Sequence, residues 1–254
     1  MANVIFGKQP VLEALKSDSG IEKIFLLHHS HSGIAEKIRL QARRKGVPVV
    51  ETSPEHLREL TAIENTQGVV ALVSLKSYVE PEEMLEAARK KGEEPLLLIL
   101  DEIEDPQNLG ALIRSAECAG VHGVLIPRHH SAPVNETVAK TSAGASAHML
   151  IARVTNIAQT LDDLKSQGVW IIGSDIAGGK PYYEADYRGP TALVVGNEGK
   201  GIRRLVKEKC DFLVRIPLHG KIESLNASVS GAILMFEAAR MRHGEKLKRE
   251  DKKG

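Results

Sequence analysis

Three short segments carry polar residues whose types and spacing suit chemistry. The first is Asn108-x-Gly110-x-x-x-Arg114, the second Gly196-Asn197-Glu198-Gly199, and the third Ser224-Leu225-Asn226-Ala227-Ser228 after Ile216-Pro217-Leu218. Two amides, a carboxylate, a hydroxyl and a guanidinium can orient a substrate, stabilise charge and assist a proton. Ser224 and Asn226 also suit the cap of a helix, and the two roles are compatible. The glycines allow positive φ and close approach of backbone to a ligand.

Other chemistries find less support. Gly196 to Gly201 spells G-x-x-G-x-G rather than the dinucleotide pattern G-x-G-x-x-G, and no G-x-x-x-x-G-K-[ST] phosphate loop occurs. His28-His29-x-His31 and His129-His130 lack helical i, i+4 ligand spacing, so no metal site is expected. There is no G-x-S-x-G elbow or Cys–His–Asp arrangement. Cys118 and Cys210 have no ligand spacing either and are expected to be buried free thiols.

The elements that must position these segments follow from the apolar pattern. Leu96 to Leu100, Gly123 to Ile126, Met149 to Val154, Val169 to Gly173, Ala192 to Val195 and Phe212 to Ile216 read as strands, most of them apolar throughout. Such runs belong to a parallel sheet buried on both faces. Helices are expected from Asp105-Pro106 to Gly120, over Asn135 to Ser142, over Ile157 to Gln167, and after Ser224-Leu225-Asn226. In the first, Leu109, Leu112, Ile113 and Ala116 form the core stripe and Arg114 lies off it. Gly110, one turn before Arg114, either leaves open space for a ligand or permits tight packing. In the last, Val229, Ala232, Ile233 and Phe236 fall at i, i+3, i+4 and i+7. Ligand sites in such sheets form at the carboxyl ends of strands, where all three segments lie.

Upstream, Asn3 to Leu75 alternates short strands and helices as a smaller α/β unit, with Arg43-Arg44-Lys45 at one helix end. The expected organisation is a substrate-binding domain at 1–76, a Glu/Lys-rich linker with one short helix from Pro81 at 77–94, a catalytic domain at 95–245 and a basic tail at 246–254. At 254 residues two domains are reasonable. A net charge of +1 gives no global attraction for nucleic acid, and 4% aromatic residues argue against aromatic stacking platforms. No membrane span or signal pattern is seen, so a cytoplasmic protein is expected.

The three segments, in this order, resemble those of the SpoU (TrmH-type) family of RNA ribose 2′-O-methyltransferases, within the SPOUT class. The resemblance runs from Pro95 to about His243, and Ile5 to Val73 is similar to the family's substrate-binding module. The nearest branch is that of bacterial enzymes acting on a guanosine of 23S ribosomal RNA. In the N-terminal module Gln67-Gly68-Val69 fits that branch, whereas Thr66 stands where its members place His.

The resemblance implies an α/β catalytic domain with a C-terminal trefoil knot, S-adenosylmethionine as donor, an RNA substrate (rRNA or tRNA) and a homodimer whose site takes residues from both chains. It assigns donor contacts to Gly196, Ile216, Leu218 and Leu225. Asn108, Arg114, Glu198, Ser224 and Asn226 take the polar catalytic positions. Arg114 either activates the ribose hydroxyl or, more readily for so basic a group, acts as a fixed cation. Glu198 either orients Arg114 or accepts the proton. Two rivals are a knotted RNA-binding assembly factor without catalysis and a nucleotide-dependent oxidoreductase. Intact Arg114, Glu198 and Asn226 argue against the first, and the lack of a G-x-G-x-x-G with its acidic partner argues against the second.

Overall fold

The computed structural model describes residues 4–16, 20–28, 30, 33–61, 65–73, 78–176 and 178–250, with side chains through 244. Two compact units divide the chain: Met1–Ser77 with Pro133–Thr137, and Tyr78–Ala132 with Val138–Gly254.

The first unit contains β1 (Val4–Phe6), α1 (Lys8–Lys16), β2 (Ile21–Leu27), α2 (Gly33–Arg44), β3 (Val49–Thr52), α3 (Pro54–Thr61) and β4 (Val69–Val73). Its sheet runs β1-β4-β2-β3, antiparallel except for the β2–β3 pair. Val11, Leu15, Ile24, Leu26, Ile38 and Val69 pack between the sheet and α1 and α2. His29 and His31 lie outside the described residues.

The second unit begins with α4 (Pro81–Lys90). This is the short helix expected within a linker, but Met84, Leu85 and Ala88 are buried in the unit's core. The apolar spacing within the Glu/Lys-rich stretch gives the helix one face to bury, so it is part of the second unit. Then follow β5 (Leu96–Asp101), α5 (Pro106–Cys118), β6 (Gly123–Pro127), α6 (Glu136–Thr141), α7 (Ala145–His148) and β7 (Ile151–Val154). Next come α8 (Ile157–Ser166), β8 (Trp170–Ser174), the two-residue β9 (Lys180–Pro181), a 3-10 turn at Tyr182–Glu184 and β10 (Thr191–Gly196). Last are α9 (Arg204–Lys209), β11 (Phe212–Arg215) and α10 (Ala227–Glu250). The side chains of the expected basic tail, 246–254, lie outside the described residues.

All pairs in the seven-stranded sheet, ordered β7-β6-β5-β10-β8-β11-β9, are parallel. This is the α/β architecture expected from the apolar runs: Leu96 to Leu100 and Ala192 to Val195 are buried throughout. Register places Gly196 at the end of β10 beside Asp101 at the end of β5. The first two motif segments therefore leave the sheet from adjacent strands, and the third follows β11, one strand beyond β8.

Helix α5 buries Leu109, Leu112, Ile113 and Ala116, as the stripe predicts. Gly110 does not open space for a ligand. A Cβ there would lie 2.6 Å from Thr141 Cβ and 3.1 Å from the Val138 carbonyl, so the glycine permits close contact with α6. In α10 the buried residues are Ala227, Gly231, Leu234, Met235 and Ala238. Gly231 sits against Leu112 of α5, and a Cβ would come within 2.4 Å of it. The stripe Val229–Ala232–Ile233–Phe236 instead faces outward, with Val229 and Phe236 about half exposed. Small residues on the other face let α10 settle more closely on α5. Cys118 is exposed, contrary to expectation, because it falls on the outer face of α5; Cys210 is half-buried.

Candidate active site

The loops after β5, β10 and β11 meet at the carboxyl end of the sheet. Asp105 caps α5 by accepting from the Gln107 amide, and Pro106 occupies the first turn. Asn108 therefore lies in that first turn. Asn226 caps α10: its Oδ1 accepts from the amides of Ser228 at 2.8 Å and Val229 at 3.3 Å. Its Nδ2 remains available and donates to Asn108 Oδ1 at 2.9 Å and to Glu198 Oε1. Asn108 Nδ2 also donates to Glu198 Oε1, at 2.8 Å. A weaker bond from the Ala227 amide, 3.3 Å long, reaches the same oxygen.

One residue from each motif thus enters a closed triangle of hydrogen bonds, over sequence separations of 28 to 118 residues. The Glu198 carboxylate also sits at the N-terminus of a 24-residue helix, where backbone dipoles favour negative charge. Its Oε2 accepts none of these bonds. Asn226 thus both caps α10 and bonds the residues from the other two motifs.

Beside the triangle is a cleft of about 200 Å³, lined by residues 195–201, by Ser224, Leu225, Ala227 and Ser230, and by residues 174–176 after β8. Gly196, Glu198, Ser224 and Leu225 of the expected site lie on it. Gly196 is required by packing within the loop itself: a Cβ would come within 2.3 Å of the Gly201 carbonyl group and the Ile202 nitrogen. Gly201, at φ +67°, has open space at its Cβ position, so one wall of the cleft is largely main chain.

Some expected residues are placed elsewhere. Ile216 and Leu218 are half-buried on the segment after β11 and do not line this cleft. Arg114 is exposed on α5, and its side chain bonds to no other described residue. In this chain Glu198 is bonded to the two asparagines, not to Arg114. Ser224 lines the cleft without capping α10; that task belongs to Asn226.

Residues that motif reading missed are Ser174, Asp175 and Ile176, which complete the cleft from β8. Asp175 pairs with Lys207. Its signal was present, since it ends the apolar strand β8 at the sheet edge where ligands bind. Burial pushes the Cys210 thiol up to about 12, so that sulfur is not a nucleophile. Among the described residues no group of three or more His, Cys, Asp or Glu is placed to hold a metal, and no helix is long and apolar enough to cross a membrane.

A parallel α/β domain whose loops converge in a glycine-lined cleft, preceded by a separate α/β module, is the arrangement of an RNA methyltransferase of the SPOUT class, and the relatives place the chain there. Residues 95–236 match the SpoU rRNA methylase family, and residues 4–79 match the RNA 2′-O ribose methyltransferase substrate-binding domain. YacO of Bacillus subtilis, assigned to the TrmH family of tRNA/rRNA methyltransferases, is 42% identical over 239 residues, covering 94% of this chain and 96% of that one. An S-adenosylmethionine-bound rRNA methyltransferase from Sinorhizobium meliloti shares 26% identity with a TM-score of 0.55, covering 93% of this chain and 86% of that one. The SpoU methyltransferase AviRb from Streptomyces viridochromogenes shares the fold, with a TM-score of 0.61, 24% identity, and coverage of 95% and 90%.

The chain belongs to the SpoU rRNA methylase family and is a TrmH-type RNA methyltransferase.

Proposed function

We propose that the protein transfers a methyl group from S-adenosylmethionine to a ribose 2′-hydroxyl in structured RNA, with a guanosine of 23S rRNA as its target. The observation that carries this reading is the Asn108–Glu198–Asn226 triangle beside the glycine-lined cleft. The substrate-binding match over residues 4–79 and the S-adenosylmethionine-bound relative support the reaction and the donor. The 23S target rests on the resemblance of Gln67-Gly68-Val69 to that branch of the family. Thr66, which departs from it, is why tRNA must be assayed as well.

The cleft fits such a donor. Main chain at Gly196 to Gly201 can bond an adenine edge, Leu225 offers an apolar surface, and Asp175 and Glu198 suit a cationic ligand. Gly196, Leu225, Ile216 and Leu218 are assigned to donor binding, the last two on the flank beyond the cleft. When bound, the donor supplies an electrophilic methyl group.

This chain's own contribution is to position the acceptor and to manage one proton. Holding a hydroxyl oxygen in line with the methyl is where most of the rate arises. Arg114 is a cation free to face the oxygen as negative charge develops and to clamp an adjacent phosphate. Glu198 Oε2 is the open acceptor, with Ser224 beside it. The partly exposed α10 stripe of Val229, Ala232, Ile233 and Phe236 is compatible with the homodimer that the family resemblance implies, in which Arg114 would serve the partner's cleft. The last third of the catalytic domain is assigned to the trefoil knot that the family resemblance implies.

Calorimetry with S-adenosylmethionine in the presence of a chelator tests the donor assignment. Heat of binding is expected, and its absence at millimolar donor would sink the reading. Mapping ribose methylation across rRNA and tRNA from a deletion strain tests the target: one 23S guanosine should lose its 2′-O-methyl group.

A further inference from the structure

A fully buried carboxylate near the site takes no part in the triangle. Asp101, at the end of β5, is fully buried. Its Oδ2 accepts from the Arg203 amide at 2.8 Å. Its Oδ1 accepts from Arg203 Nε at 2.8 Å and lies 2.7 Å from Nη2. Arg203 Nη1 lies 3.5 Å from Glu102. Arg203 closes the loop that begins at Gly196, so the ion pair fixes the far end of the segment carrying Glu198.

The near end is fastened to the same place. Asn197 Nδ2 donates to the Glu102 carbonyl at 3.2 Å, and Asn197 Oδ1 accepts from the Gly199 amide at 2.9 Å. The Gly201 amide in turn donates to the Asn197 carbonyl at 2.8 Å. Glu102 turns its carbonyl toward the loop with φ at +61°, a left-handed conformation uncommon outside glycine. Both ends of the 197–203 loop are therefore tied to Asp101, the last residue of β5, and Glu102, the residue that follows it. The loop's middle, with Glu198 and the cleft wall, faces solvent, and the Arg203 side chain is itself partly exposed over the buried Asp101.

With Asp101 buried but the Arg203 side chain 43% exposed, the pair is half-buried; such a pair adds little net stability, and its attested advantage is fixing one geometry among several. The geometry points to Asp101 and Arg203 as a positioning pair that holds the 197–203 loop where Glu198 meets Asn108 and Asn226 and where the donor cleft stays open. Neither residue is assigned to substrate. They act through the loop, and the inference rests on the donor-binding reading above.

The test uses the full-length protein and two variants. Asp101→Asn/Arg203→Gln removes both charges while keeping polar groups of similar size, so no buried charge is stranded. Arg203→Lys keeps the charge but cannot bond side-on through Nε and Nη2. Hydrogen exchange of the 197–201 amides, S-adenosylmethionine affinity, and kcat per folded molecule are measured for each. The double variant should melt close to the parent, exchange at least tenfold faster in the loop only, bind donor about tenfold more weakly and lose about tenfold or more in kcat. Arg203→Lys should fall between the two, and it carries the test should the double variant fold poorly. Folded variants with parental loop exchange and parental donor affinity would overturn the inference. So would activity losses wholly explained by the unfolded fraction. If the parent itself bound no donor, the functional reading would fail, while loop exchange would still decide whether the clamp exists.

Discussion

At the carboxyl ends of β5 and β10, Asn108, Glu198 and Asn226 bond to one another at the solvent-facing rim, and Arg114 bonds to no other described residue. At the amino ends of the same strands the arrangement is reversed. Arg242 of α10 donates to the carbonyls of Tyr187, Glu94, Pro95 and Gly189, at 2.5 to 3.1 Å. His122 Nδ1 accepts from the Leu96 amide at 3.1 Å while Nε2 meets Glu93 at 3.1 Å. Lower-rim groups are satisfied mainly by main chain and withdrawn from water, which is what fastening a helix to a sheet requires. Upper-rim groups keep spare bonding capacity facing solvent, which is what a ligand requires. Substitutions at the upper rim should therefore damage turnover and spare stability. Those at the lower rim should do the reverse.

The largest effect is expected from Arg114→Ala. Loss of a positioned cation facing developing negative charge costs on the order of 2.7–4 kcal/mol, roughly a hundred- to a thousandfold in rate. Since the side chain is exposed and off the core stripe, the melting temperature and donor affinity should stay near parental values. Steady-state kinetics beside calorimetry checks this, and Arg114→Lys should not restore the rate.

Arg242→Ala is the lower-rim counterpart. It strands several carbonyls that now share a half-buried guanidinium, a loss of about 2–3 kcal/mol. Thermal unfolding should shift down by roughly 5–10 °C, with kcat per folded molecule unchanged. A parental melting point would break the comparison.

Asn226→Asp separates capping from chemistry at one position. Aspartate keeps an oxygen for the Ser228 and Val229 amides and suits the helix N-terminus, so stability should hold. It removes the donor to Glu198 and Asn108 and sets two carboxylates together. Turnover should fall between about ten- and a hundredfold, the equivalent of a lost charge-assisted hydrogen bond. Equal losses in stability and activity would mean that the cap is its whole role.

The smallest effect concerns pH. Burial holds the His122 imidazole below its ordinary range, despite its bond to Glu93. Between that depressed value and about 6.5, the unfolded chain binds a proton that the folded chain does not. Stability from this group is thus present above about 6.5 and falls as pH drops through that window. Melting curves at pH 7.5 and 5.5 should show a larger decrease for the parent than for His122→Gln.

Much of this was legible in the sequence because burial on both faces writes parallel strands as apolar runs, and Asp105-Pro106 and Asn226 are plain helix starts. The α4 helix was legible, but its membership was not. Charge-rich composition concealed that Met84, Leu85 and Ala88 share a face. The α10 stripe misled because Val229 and Phe236 are larger than Gly231 and Ala238, yet only the small residues allow close approach to α5. Gly110 faced a neighbour, Thr141, that no local pattern reveals. Asp101 and Arg203, 102 positions apart, form a pair for the same reason: strand order decides it, not spacing.

The most direct measurement of the central claim is transfer of a labelled methyl group from S-adenosylmethionine to bacterial rRNA and tRNA by the purified protein, followed by nucleoside analysis. Label should appear as a 2′-O-methylated nucleoside in 23S rRNA with the parent and be nearly lost with Arg114→Ala. Label on a base, or none from a protein that binds the donor, would contradict the account.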